Sequence, residues 1–305
     1  MSEHFTHIAV YEDTARIILT SDDFCSAFKK CISIYYDSGM LGSTSRGNHL
    51  FAIPILEEYR NKWNTTTPDE HAMLKIAYAI GWTTHRAADH QMKPVLRATE
   101  ALNDPRYNGY INSIYHDAMS FRQVYDGGNT PSMSDKEVLS PATFDYNMES
   151  HPAAKAVNVA AAEPLFNRMW QKDIMATWRF IGDQTMFEEW LDTVIDRFPD
   201  LSENFEDYEA AFNDPNPALM QKYYEQDNLY NESDDIIQFV RAVQRGEKPD
   251  VDLETALQTA ESGSEYARAL RRGYDYVKAA NEFFVGNISK TAAYDTLEIV
   301  DQHRF

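Results

Sequence analysis

The segment "TPDEHAMLKIAYAIGWTTHRAADH", residues 67–90, decides the fold expected for this chain. It begins as helices do, because Thr67 suits the N-cap, Pro68 suits the first helical position, and acidic residues follow in the first turn. If the helix continues to the end of the segment, His85 and Asp89 project from one face, about one turn apart. An imidazole and a carboxylate at that spacing can hold one cation, or they can form a hydrogen-bonded pair without a metal.

Helical patterns dominate on both sides of this segment. Apolar residues at helical spacing, with capping residues before them, predict further helices over residues 20–36, 49–63, 110–126 and 253–287 and in shorter segments between residues 161 and 246. The Gly- and Ser-rich stretch 36–48 predicts a loop. No run of alternating β-branched residues predicts a strand, so the expected fold class is all-α.

The longest polar, turn-rich stretch covers residues 126–150 and indicates a boundary. We therefore expect three parts. Residues 1–125 form a helical core that carries the site, residues 126–150 form a connecting excursion, and residues 151–305 form additional C-terminal helices packed on the core.

Composition and charge narrow the function classes. The chain has 305 residues, of which 43% are hydrophobic and 13% aromatic, so it can build a sizeable core. The net charge of -20 opposes stable binding to nucleic acid and to anionic lipid, and it raises the local concentration of cations. The first residues lack the features of a signal peptide, and no stretch of about 18 apolar residues is present to span a bilayer. These features predict a cytoplasmic protein that does not insert into membranes.

Histidines are concentrated in the N-terminal part of the chain. Seven of the nine lie within the first 116 residues, so any site is expected there. Imidazole nitrogens and carboxylate oxygens are the ligands of zinc and similar ions, and helical bundles build metal sites from ligands on several helices. The candidate metal ligands are His7, Asp37, His49, His85, Asp89 and His116.

The order His7, Asp37, His49 and then His85-x-x-x-Asp89 resembles the zinc-dependent phospholipase C family and the related single-strand-specific zinc nucleases. The resemblance covers roughly residues 4–125. It implies a multi-helix core with a cluster of metal ions, in which Asp89 bridges two ions and the carboxylates of Asp37 and Asp89 are catalytic.

Two family ligands are replaced in this chain. Val95 and Ser120 stand where a histidine and an acidic residue are expected, so we predict one or two zinc ions instead of a three-ion cluster. The implied reaction is hydrolysis of a phosphate ester by a metal-activated water. The implied substrate is a small phosphate ester or a phospholipid head group, with Arg46 and Arg86 as the cations that bind its phosphate.

Two other hypotheses use the same residues differently. The first is an HD-type metal phosphohydrolase, which places His7 and Asp37 away from the metal. Its ligands would be His85, His116, Asp117 and a later aspartate such as Asp145. The second is a non-catalytic helical binding protein with a degenerate metal site, which the replaced ligands favour.

Overall fold

The computed structural model describes residues 4–44, 52–63, 70–98, 109–124, 216–222 and 227–299. Every regular element in these ranges is helical, so the predicted all-α fold class is confirmed for this part of the chain. The α-helices are α1 (His4–Thr20), α2 (Ser26–Ile34), α3 (Tyr36–Thr44), α4 (Ala52–Trp63), α5 (Glu70–Ala98), α6 (Gly109–Val124), α7 (Pro217–Gln221), α8 (Asp235–Gln244), α9 (Leu253–Thr259), α10 (Glu265–Val285) and α11 (Lys290–Thr296). None of these helices has both the length and the apolar character needed to cross a membrane.

The chain divides into two compact units, which are described separately. The first contains Glu3–Thr6 and Thr99–Gln226, and the second contains His7–Ala98 and Asp227–Phe305. The second unit thus joins N-terminal helices to C-terminal ones, because α10 packs along α5. The predicted excursion over residues 126–150 lies outside the described residues, and the three-part division of the chain remains a prediction.

The central helix of the second unit is α5, whose 29 residues include most of the segment that predicted it. Its Ala-rich sequence favours a helix, and Ile76, Ala77 and Ile80 are fully buried. Helices α2, α3, α4 and α10 all contact it. Because α5 continues past residue 90, His85 and Asp89 do lie on consecutive turns of one helix.

The prediction of a loop over residues 36–48 is wrong for its first part, since Tyr36–Thr44 forms helix α3. Glycines allow α3 and α5 to approach backbone to backbone. A Cβ atom on Gly81 of α5 would lie 2.6 Å from the carbonyl carbon of Gly39, and one on Gly42 would lie 2.9 Å from the amide nitrogen of Trp82. The Ser38 hydroxyl also donates to the Leu74 carbonyl at 2.8 Å. Tertiary contact with α5 therefore outweighs the weak helix propensity of this stretch.

The long helix predicted over residues 253–287 is divided into two. Ser264 interrupts it as the N-cap of α10, where its hydroxyl accepts from the Ala267 amide at 3.2 Å. Gly286 ends α10 in the left-handed conformation, with φ of 91°, which favours glycine. The predicted single helix is therefore α9, a 3-10 turn over Ala260–Ser262, and α10.

A buried cluster of charges connects α1 to the C-terminal helices. The Asp13 carboxylate, which is fully buried, accepts hydrogen bonds from Arg16 at 2.5 Å, from Tyr266 at 2.8 Å, and from Arg241. Burial alone would lower the pKa of Arg241, but the Asp13 carboxylate together with Tyr266 and Tyr230 outweighs it and raises that pKa. The cluster holds α1 against α8 and α10, and so fixes the helix that carries His7.

Candidate metal centre

Three side chains from two helices converge within the second unit. His85 and Asp89 project from consecutive turns of α5, and His7 projects from α1. One nitrogen or oxygen of each lies within 4.8 Å of those of the other two. The Asp89 carboxylate faces the Nε2 atoms of both imidazoles, with Oδ1 3.4 Å from His7 Nε2 and Oδ2 3.5 Å from His85 Nε2.

These separations match those of ligands on a common ion. Two ligand atoms at about 2.1 Å from a zinc ion, at the tetrahedral angle, lie about 3.4 Å apart. Both carboxylate-to-imidazole distances agree with this value, but they end at different oxygens of Asp89, so a three-ligand shell requires the carboxylate or the imidazoles to rotate. In chemistry and spacing, the three side chains fit a divalent metal.

The orientation of His85 is fixed by the backbone of α3. Its Nδ1 lies 2.9 Å from the Ser43 carbonyl oxygen, so Nδ1 carries the proton and donates it there. The Ser43 hydroxyl in turn donates to the Met40 carbonyl at 2.7 Å, which secures the end of α3. The lone pair of His85 therefore resides on Nε2, the atom that faces Asp89. Metal-binding histidines commonly have this arrangement.

His7 is 1% exposed and stacks on His85, with ring centroids 4.3 Å apart and an angle of 21° between the planes. Burial, together with the nearby His85, lowers the pKa of His7 to about 4. The imidazole is consequently neutral at physiological pH. A neutral imidazole is the form that binds a metal.

Asp89 supplies the negative charge of the cluster. Burial alone would raise its pKa, but the combined interactions with the adjacent imidazoles of His7 and His85 outweigh that effect and hold the pKa well below the ordinary carboxyl value. The ammonium of Lys93, one turn further along α5, contacts the same carboxylate at Oδ2. Asp89 is therefore ionised at physiological pH.

Three of the candidate residues fall outside what the structure describes. Arg46 and His49 lie in the undescribed segment 45–51, and the side chain of Asp37 is also outside the described set, although its backbone belongs to α3. Their roles remain predictions.

The guanidinium of Arg86, a predicted phosphate-binding residue, donates hydrogen bonds to the backbone just after α11. Its Nε donates to the Leu297 carbonyl at 2.7 Å, and its Nη2 donates to the Glu298 carbonyl. These bonds tie the chain after α11 to α5. Substrate binding by Arg86 stays a prediction that this geometry does not support.

The HD dipeptide lies in the first unit, on α6. The Asp117 carboxylate accepts from the backbone amide of Thr6 at 2.9 Å and from its hydroxyl at 3.0 Å. The Thr6 hydroxyl also lies 2.9 Å from the Ser120 hydroxyl. Because Thr6 belongs to the first turn of α1, Asp117 satisfies an amide that has no partner within that helix. His116 is fully buried, and neither residue of the dipeptide belongs to the cluster of three.

Two groups that contact the cluster were not predicted from the sequence, namely the Ser43 carbonyl and Lys93. The Ser43 carbonyl gave no signal, because a backbone group in a predicted loop carries no side-chain pattern. Lys93 did give one, since a lysine four residues after an aspartate on a helix can pair with it.

Comparison with known proteins returns no match: no family model, no curated protein and no solved structure is similar to this chain. The proposed function therefore depends on the cluster of His7, His85 and Asp89. Within the described ranges, His7, His85 and Asp89 are the one group of three His, Cys, Asp or Glu side chains with ligand atoms this close together.

Proposed function

We propose that the protein is a metal-dependent phosphoesterase that binds one or two divalent cations, with zinc the expected metal. The observation that carries the proposal is the spacing of His7, His85 and Asp89, whose ligand atoms lie within 4.8 Å of one another. Two imidazoles and one carboxylate form a ligand set used by catalytic zinc sites, in which a further position is left for water or substrate. Phosphate-ester hydrolysis is the reaction implied by the resemblance to the zinc-dependent phospholipase C family.

Each side chain has a defined task in this proposal. His7 and His85 provide neutral nitrogens, and Asp89 provides the charge that retains the cation. The Ser43 carbonyl keeps the lone pair of His85 on Nε2, while burial restricts the rotation of His7. A bound divalent cation lowers the pKa of a water molecule and neutralises charge on phosphate oxygens.

The charge of the protein narrows the proposed substrates. A net charge of -20 repels a polyanion at long range, whereas a small ester carries little charge and can reach a locally positive centre. We therefore propose a small phosphate ester or a phospholipid head group as substrate, and no stable association with nucleic acid.

The test is a screen of phosphodiesters and phosphomonoesters on zinc-loaded protein, with Asp89→Asn beside the wild type. We expect Asp89→Asn to lose both bound zinc and turnover, because the amide carries no charge. Asp275→Asn is the matched control, since it makes the same change in a carboxylate that pairs with Arg271 at 2.8 Å on α10; it should retain both.

Two results would contradict the proposal. Unchanged turnover in Asp89→Asn would place the chemistry elsewhere. Zinc binding without turnover on any ester would favour the non-catalytic metal-binding protein.

A further inference from the structure

Lys93 is a cation built into the edge of the candidate metal centre. Its ammonium contacts Asp89 Oδ2, the same oxygen that lies 3.5 Å from His85 Nε2. The Lys93 side chain is 42% exposed, whereas that of Asp89 is 14% exposed. The ammonium therefore approaches the carboxylate from the solvent side, and the imidazoles approach it from the buried side.

A divalent cation on Asp89 and the ammonium of Lys93 compete for one carboxylate. Like charges a few Å apart repel, and because the Asp89 carboxylate is largely buried, solvent screens this repulsion only in part. The lysine stem is long and flexible, so the ammonium can leave Oδ2 without moving α5. Within the described ranges, Asp89 is the ion-pair partner of Lys93.

Arg86 cannot replace Lys93 in this role without giving up its bonds to the Leu297 and Glu298 carbonyls. Among the residues that the structure describes, an anion that binds at the metal centre would thus meet the ammonium of Lys93, held one helical turn from Asp89.

We propose that Lys93 exchanges Asp89 for an anionic ligand when a divalent cation binds, so that cation and phosphate monoanion bind cooperatively at this site. The inference rests on the proposed function in one respect, namely that His7, His85 and Asp89 bind the cation. It adds the residue that receives the substrate phosphate, and it predicts coupling between the two ligands. Because coupling is reciprocal, the anion must raise the affinity for the cation by the factor by which the cation raises the affinity for the anion.

The test measures the zinc dissociation constant by competition with a chelating indicator, with and without saturating dimethyl phosphate. The variant is Lys93→Met, which keeps an unbranched side chain on the helix. The matched control is Lys62→Met, because Lys62 also follows its partner, Glu58, by four residues, with Nζ 3.2 Å from Oε1. Thermal unfolding of each variant verifies that it is folded.

Without the anion, we expect Lys93→Met to bind zinc about tenfold more tightly than the wild type, because the competing ammonium is gone. With dimethyl phosphate, we expect the wild type to gain about tenfold in zinc affinity and Lys93→Met to gain about twofold or less. Lys62→Met should match the wild type in both conditions.

The outcomes separate the two proposals. If the wild type binds zinc, and dimethyl phosphate raises the zinc affinity of Lys93→Met as much as that of the wild type, the role of Lys93 is overturned. The metal site itself is not contradicted by that result. Weaker zinc binding by a folded Lys93→Met in the absence of anion would overturn the competition. Failure of both proteins to bind zinc would overturn the proposed function, and this inference with it.

Discussion

Substitution of Gly81 by alanine tests how the packing of α3 against α5 determines the geometry of the candidate site. In an open helix this change would stabilise the protein by about 1 kcal/mol, because alanine has the higher helix propensity. Here the new Cβ would overlap the Gly39 carbonyl oxygen and lie 2.6 Å from the carbonyl carbon, whereas carbon atoms in contact prefer about 3.5 to 4.0 Å. The obstacle is backbone and cannot rotate away, so the helices must separate locally by more than about 1 Å.

Overpacking of this kind costs about 1 to 3 kcal/mol, and a clash with backbone belongs at the upper end of that range. After the propensity gain of about 1 kcal/mol is subtracted, we expect a net loss of about 2 kcal/mol in the free energy of unfolding, measured with urea. The separation also withdraws the Ser43 carbonyl, which lies 2.9 Å from His85 Nδ1. Loss of such an outer partner typically weakens metal binding by about 10- to 100-fold, so zinc affinity should fall as well.

Gly273→Ala is the control for this experiment. Its Cβ would lie 2.6 Å from the Thr14 hydroxyl oxygen, which is a side-chain atom and not a backbone atom, so the cost should be smaller. A Gly81→Ala protein as stable as the wild type would refute the packing argument. A destabilised protein with unchanged zinc affinity would refute the link between that packing and the site.

Two further predictions concern buried ionisable groups. Asp13→Asn should lower the free energy of unfolding by about 3 to 5 kcal/mol, because it leaves the guanidiniums of Arg16 and Arg241 without their shared counter-charge. A loss below about 1 kcal/mol, measured by urea titration, would contradict this prediction. Burial, and secondarily the charge of Lys222, lowers the pKa of His116 to about 3 from 6.5. Between these values the unfolded chain binds one more proton here, so stability falls with decreasing pH by about 1.4 kcal/mol per pH unit. His116→Leu should remove this contribution, so between about pH 4 and 6 its free energy of unfolding should fall with decreasing pH by about 1.4 kcal/mol per pH unit less than that of the wild type. Curves of stability against pH that are parallel for the two proteins over this range would disprove the prediction.

The sequence was informative where helix periodicity and capping agree. Thr67 and Pro68 indicated the start of the central helix, and its continuation puts His85 and Asp89 on one face by geometry alone. The all-α class followed from the same signals. The position of His7 beside them came from the order of residues in the resembling family, because no local pattern relates residue 7 to residue 85.

The sequence misled where tertiary contact overrides local propensity. The Gly- and Ser-rich composition around Gly39 and Gly42 is typical of a loop, yet the same glycines permit the close approach that makes α3 a helix. The Asp117 carboxylate resembled a metal ligand in the HD dipeptide, and in the structure it accepts from the first turn of α1. Such roles depend on a partner distant in the chain, so a local pattern does not reveal them.

X-ray absorption at the zinc edge, on zinc-loaded protein, tests the metal centre most directly. The account predicts a first shell of nitrogen and oxygen at about 2.0 to 2.2 Å, with the multiple scattering of at least two imidazoles per zinc ion. The signal should be lost, with the zinc itself, in Asp89→Asn. A shell without imidazole scattering, a sulfur shell at about 2.3 Å, or zinc retained unchanged by Asp89→Asn would contradict the assignment of His7, His85 and Asp89 as its ligands.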